Sequence, residues 1–567
     1  MYEKALDIRK KVLGAEHPTV ATNLNNLAML YQAQGEYKKA LPLYKRALVI
    51  NEKVLGTEHP SVVANINNLA GLYQAQGMYK QAEAMYELAI SEKVLGAEHP
   101  SVAANINNLA GLYQAQGMYK QSEVMYEKAL LVYYKGMSVI LKKTLSDYLL
   151  NDKHPDAATV RNLDVAIVFA NLAVLYDDQG RYKEALPLHK EALAIREKIL
   201  GAEHPDVATS LNNLADCYKN QGEYKEALPL LERASDILEK NLGGQHPDVA
   251  TSLNNLASLY QTQGAYKKAL PLYKRALAIE KKVLDAKHPN IATATSLNNL
   301  AGLYQTQGEY DKALPLYEEA SAISKKVVGA EHPDTIAKLN NLATLYQNRG
   351  EYDKALPLHK KISTLLEKIL GAEHPYVAVS LNNLANLYQE QGKYEEALPL
   401  YKRVLAISEK TKGTHDPSVA TGFNNLAMLY QKQGKYEEAL PLFEKAQAIY
   451  EETLGTENPL VAVSLNNLAE TYRDQGNYEK ALSLHTKALA IREKVLGNEH
   501  PDVAESLNNL GKLYQDQGKY KEALPLLKRA LEIVSKKLGT EHPITQKVNK
   551  SYLTLLKKVE NTQKKHE

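Results

Sequence analysis

Histidine stands directly before proline at His17, His59, His99, His154, His204, His246, His288, His332, His374, His500 and His542. Imidazole can ligate a metal or carry a proton, so the series raises both chemistries. Metal ligation on a helix calls for a second donor at a spacing such as i+4. None accompanies these residues. Asp416 and Asn458 occupy the same place before Pro417 and Pro459. His, Asp and Asn share a side-chain hydrogen-bond acceptor, and proline suits the first helical position. The pairs read as helix caps, with no metal expected. The sequence has no Gly-rich phosphate loop, no HExxH and no nucleophile with a nearby base. Neither an enzyme nor a cofactor is expected.

Amides are the second recurrent polar group. Asn25 is followed by Asn26, Asn67 by Asn68, Asn107 by Asn108, Asn212 by Asn213, Asn254 by Asn255 and Asn298 by Asn299. The series continues with Asn340 and Asn341, Asn382 and Asn383, Asn424 and Asn425, Asn466 and Asn467, and Asn508 and Asn509. Ala170 holds the first place in one further unit. The intervals are then 42, 40, 63, 42, 42, 44, 42, 42, 42, 42 and 42 residues. Self-similarity at such a period marks a repeat architecture, in which no unit buries its apolar face alone.

The elements that carry these residues follow from the first full unit. Leu24, Leu27, Ala28 and Tyr31 share one helical face, and Gly35 ends this helix A. Ala40, Leu43, Tyr44, Ala47 and Leu48 form the face of helix B, closed by Gly56. Pro42 is placed near the start of helix B, where few backbone N–H groups have partners. On a wheel, Asn25 and Asn26 fall about 100° and 200° from Leu24, off the core direction. Tyrosines at the Tyr44 position read as packing residues, and so do their replacements His189, His359 and His485. Cys217 reads as a small buried residue.

The offsets of Leu24, Leu27, Ala28, Tyr31, Ala40, Tyr44 and Ala47 resemble the tetratricopeptide repeat. The 42-residue form with LNNLA, QGxY, ALPLYKRALAI and EKVLGxEHP is similar to the repeats of kinesin light chains. The resemblance implies an all-α, right-handed superhelical α-solenoid of helix–turn–helix units. It also implies that the side of helix A away from helix B lines a concave groove. The Asn pairs are then expected to grip extended peptide backbone, since an amide both donates and accepts. Gln32 and its copies add amides nearby. The bland alternative is that the pairs bond to the adjacent hairpin and stiffen the stack. One groove position varies: Met29, Gly71, Gly111, Val174, Asp216, Ser258, Gly302, Thr344, Asn386, Met428, Glu470 and Lys512. A constant ladder with a variable site suits generic backbone grip with local selection.

The expected organisation is a helix-B fragment at 1–17, three repeats over 18–128, an extended helical hairpin at 129–168, nine repeats over 169–542, and a capping helix with a basic tail at 543–567. The apolar stripe Leu130, Tyr134, Met137, Leu141, Leu145 and Tyr148 supports the hairpin, as a docking element or as packing. The formal net charge of +3 argues against nucleic acid. One cysteine excludes an intrachain disulfide, and no apolar run suggests a leader or a membrane span. A cytoplasmic location is expected. The leading expectation is a protein–protein interaction scaffold that binds peptide segments of other proteins in the groove. A cargo adaptor of a microtubule motor is the alternative, disfavoured because no heptad coiled coil precedes the repeats. A sensor arm of a signalling protein is a third. Self-association through the N-terminal helix is a further expectation.

Overall fold

The computed structural model describes residues 2–33, 36–90, 100–135, 163–283 and 290–563. Among the described residues every regular element is a helix. A helix A of 16 residues, such as Pro375–Glu390, alternates with a helix B of up to 19, such as Tyr394–Lys412. Helix B stops where glycine takes a positive φ, as at Gly371 (φ 89°), whose N–H bonds Glu367 O at 3.0 Å. Pro42 falls at the sixth residue of helix Tyr37–Leu55, further in than the sequence suggested, so it forfeits one helical bond.

No unit closes its own core. Ala385, Ala397 and Tyr401 of one unit pack with Leu426 and Leu429 of the next. Fully buried alanines let the paired helices approach closely, and each buried leucine adds about 1.5–3 kcal/mol. The hairpin expected over 129–168 falls largely on residues 136–162, outside the described residues. Its flanks, helices Tyr119–Lys135 and Leu163–Asp178, join in one core through Leu130, Val132, Val165 and Leu172. At the other end, helix Pro543–Gln563 sets Leu555 against Ala523 and Leu527.

The His-Pro pairs are caps, as their substitutions indicated. His374 Nδ1 accepts the Tyr376 N–H at 3.1 Å, and Asp416 Oδ1 and Asn458 Oδ1 accept equivalently at 2.7 and 2.9 Å. Because Nδ1 accepts, Nε2 carries the proton and is free to donate. In the later units it donates to a unit far back in sequence. His332 reaches Ala75 O at 2.9 Å, His374 reaches Ala115 O at 3.2 Å, His500 reaches Thr262 O at 2.9 Å and His542 reaches Thr306 O at 3.2 Å. Those carbonyls end a helix A, where intrahelical partners run out. The array therefore makes a superhelical turn every six units, and His332, His374, His500 and His542 each seal a helix end one turn below.

Asn458 repeats both bonds, its Nδ2 donating to Asn220 O at 3.4 Å. The Asp416 carboxylate has no proton to donate, and Lys412 Nζ bonds Asp178 O at 2.7 Å in its stead. Glycine is required where the turns touch. A Cβ on Gly117 would lie 2.5 Å from Pro375 Cδ, whereas one on Gly392, at the same place in a later unit, would meet nothing. Caps of the first turn stay open to solvent: His204 and His246 are 40% exposed, against 8% for His500.

Candidate functional site

The Asn pairs face neighbouring helices A and are shared between units in two patterns. In the first turn Asn25, Asn67 and Asn254 donate forward. Asn25 Nδ2 bonds Asn65 Oδ1 at 2.7 Å, Asn67 bonds Asn105, and Asn254 bonds Ser296 Oγ at 3.0 Å. The Oδ1 atoms of Asn25, Asn67, Asn212 and Asn254, and of Asn508 in the second turn, are buried without a hydrogen-bond partner. Asn171 instead donates backward to Asn107 Oδ1 at 3.1 Å, and the second asparagine repeats this from Asn341 to Asn467, while Asn466 also donates forward to Ser506 Oγ at 3.1 Å. Asn341 bonds Asn298 Oδ1 at 2.9 Å, Asn383 bonds Asn340 at 3.0 Å, Asn425 bonds Asn382 at 2.7 Å and Asn467 bonds Asn424 at 3.0 Å. The later amides are thus engaged with one another. Asn424, Asn425, Asn466 and Asn508 are buried, although the helical wheel set them apart from the hydrophobic core. Asn26, Asn108 and Asn255 are exposed, while Asn68, Asn213, Asn299 and Asn509 are half-buried.

Gln32 and its copies have a packing partner. Tyr44 OH donates to Gln32 Oε1 at 3.0 Å, Tyr317 to Gln305 at 2.8 Å and Tyr273 to Gln261 at 3.1 Å. Burial pushes the Tyr44, Tyr86 and Tyr273 phenols up to about 12, so they act as donors. In the first turn a cavity of about 560 Å³ gathers Asn68 and Asn108 with Met29 and Gly71, two of the variable positions. The second turn is more charged there. Burial pushes the Glu470 carboxyl up, but the hydrogen bond from His485 and the Arg473 charge outweigh it and leave it below its ordinary value. Burial also holds the Lys512 ammonium down.

One further grouping escaped the sequence reading. Asp177, His189 and Cys217 meet, with donor atoms all within 4.8 Å of one another. His189 Nε2 lies 2.8 Å from Asp177 Oδ2, and Gln221 Nε2 donates to Cys217 Sγ at 3.3 Å. Burial, and then the neighbouring Asp177 carboxylate, push the Cys217 thiol far above its usual value. The signal was present in the repeat alignment: each residue departs from its unit pattern, at the Gln32, Tyr44 and Leu30 positions.

No described helix is long and apolar enough to cross a membrane. The tetratricopeptide repeat pattern matches residues 1–53, 20–91, 63–135, 164–240, 212–282, 334–410, 418–494 and 465–536, and two further forms of it match 293–334 and 382–453. No curated protein matches the chain. Among solved structures, the nearly identical TPR-like repeats of a Podosopora anserina kinesin light chain-type protein are 35% identical. They align over 37% of this chain and 98% of their own, with a TM-score of 0.31. BtubC (BKLC) from P. vanneervenii is 25% identical over 41% of this chain and 91% of its own, with a TM-score of 0.32. The chain belongs to the tetratricopeptide-repeat family and carries the 42-residue, kinesin light chain-like form of the repeat.

Proposed function

We propose that the chain is an interaction scaffold that holds extended peptide segments of partner proteins against the helix-A face of its first superhelical turn. The observation that carries this reading is the unequal use of the asparagines. In the second turn Asn341, Asn383, Asn425 and Asn467 each donate to an amide of the preceding unit. In the first turn Asn68 and Asn108 line a cavity floored by small and variable residues, beside the unpaired Oδ1 of Asn67. An extended backbone offers N–H groups at a regular spacing, and a buried carbonyl gains most from a donor it otherwise lacks. Gly71 and Gly111 leave room for backbone approach, while Met29, Val174, Asp216 and Ser258 differ enough to select side chains.

Two triple variants test the reading, with linear peptides selected on the full chain from a random library. N68A/N108A/N255A should weaken capture by about 10- to 1,000-fold, three bonds at about 0.5–1.5 kcal/mol each, with Tm nearly unchanged. N383A/N425A/N467A should lower Tm and leave capture intact, because it dismantles the closed ladder. The opposite pairing of effects would refute groove capture.

A further inference from the structure

The Asp177, His189 and Cys217 grouping is singular among the described residues. At the same three places, the unit of Tyr317 carries Gln305, Tyr317 and, in the next helix A, Leu345. That phenol donates to the glutamine, and the leucine is fully buried. Between the unit of residues 163–200 and the next helix, all three places are exchanged together for ligand-bearing groups. Asp177 comes from helix Leu163–Asp178, His189 from helix Tyr182–Leu200 and Cys217 from helix Pro205–Asn220. His189 and Cys217 are 1% and 0% exposed, and the Asp177 side chain is 12% exposed. Asp177 Oδ1 is buried with no hydrogen-bond partner, although it sits beside an imidazole and a thiol. An unsatisfied carboxylate oxygen in an apolar core is costly unless a charge meets it.

We propose that Asp177, His189 and Cys217 form a divalent-metal site of the zinc class, with three protein ligands and one open position. Carboxylate, imidazole and thiolate are the donors that zinc accepts, at bonds of about 2.0–2.3 Å. A tetrahedral ion then sets its ligand atoms about 3.3–3.8 Å apart. The present separations bracket that range, so small side-chain rotations suffice. The charges also close. A dication with one carboxylate and one thiolate is neutral, which suits the surrounding Leu172, Leu175 and Leu188. Binding forms the metal–sulfur bond and releases the thiol proton to solvent, while the imidazole shifts its proton from Nε2 to Nδ1 and ligates through Nε2. The fourth position lies toward Asp177, the most exposed of the three. Bound metal would tie two consecutive units together beside the irregular interval of the array.

The test uses the full chain without a histidine tag, freed of metal under reducing conditions and titrated with cobalt chloride. Wild type should develop a thiolate-to-cobalt charge-transfer band that saturates at one equivalent and is bleached by one equivalent of zinc. C217S should lose the band. The variant D177Q/H189Y/C217L restores residues that other units carry at these places, so it should fold with unchanged helicity and take up no cobalt. Absence of the band in wild type would overturn the proposal in favour of a plain hydrogen-bonded triad. Uptake that persists in the triple variant would overturn it equally, placing the metal elsewhere.

Discussion

What a histidine does in this chain depends on what meets its two nitrogens. His374 spends one on a helix N-terminus and the other on a distant carbonyl. His485 bonds Asn466 Oδ1 at 2.8 Å. His359 has neither: both nitrogens are buried without a partner, and burial drives its pKa down to about 4. The unfolded chain, with a histidine pKa near 6.5, takes up a proton that the folded chain refuses. Stability contributed by neutral His359 is therefore full above about 6.5 and falls as pH drops toward about 4. Between pH 7 and pH 5 this residue should cost about 2 kcal/mol. H359Y restores the phenol used in other units and gives it Gln347 as acceptor. Urea melts at pH 7 and pH 5 should show the variant more stable at both and less sensitive to acid. An unchanged pH dependence would mean that His359 is hydrated. Sequence reading assigned these histidines to packing because the Tyr44 register fixes burial. It could not separate His189 from His359, since the difference is whether position 177 or 347 supplies a carboxylate.

Helix A begins with a cap that serves two helices at once, and substitutions at His374 separate the two duties. H374A removes both the cap and the donor to Ala115 O, and should cost about 1–3 kcal/mol. H374N should be nearly silent, because Asn458 makes both bonds already. H374D keeps the cap and loses the donor, and should cost about 1 kcal/mol or more, since its second oxygen would be stranded like Asp416 Oδ2. Equal stability of the aspartate and asparagine variants would show that the contact between turns contributes nothing. The cap itself was legible from the exchange of His for Asp and Asn before proline. Its second bond was not. The partner carbonyl of His374 lies 259 residues away, and no local pattern encodes a distance set by six accumulated rotations.

Across the whole molecule, the period was readable and the pitch was not. Equivalent docking positions on successive units mean that register, rather than any particular pair, holds the turns together. Removing residues 376–417 joins Pro375 to Ser418 and leaves His374 as the cap of the following helix. The shortened array should keep its helicity and a cooperative melt by circular dichroism, with every later cap docking one unit earlier than its present partner. Aggregation or a multiphasic melt would show that specific pairs matter. The same two-turn arrangement sets a first turn whose Asn68 and Asn108 line a cavity against a second in which Asn341, Asn383, Asn425 and Asn467 bond backward, which is the basis of the functional reading. Hydrogen–deuterium exchange of the full chain, with and without a peptide selected on it, tests that reading most directly. New protection should concentrate in the first-turn helices A, Pro60–Ala75, Pro100–Ala115 and Pro247–Thr262, with little change at Pro375–Glu390 and Pro417–Lys432. Protection confined to the second turn or to the outer helices B would contradict it.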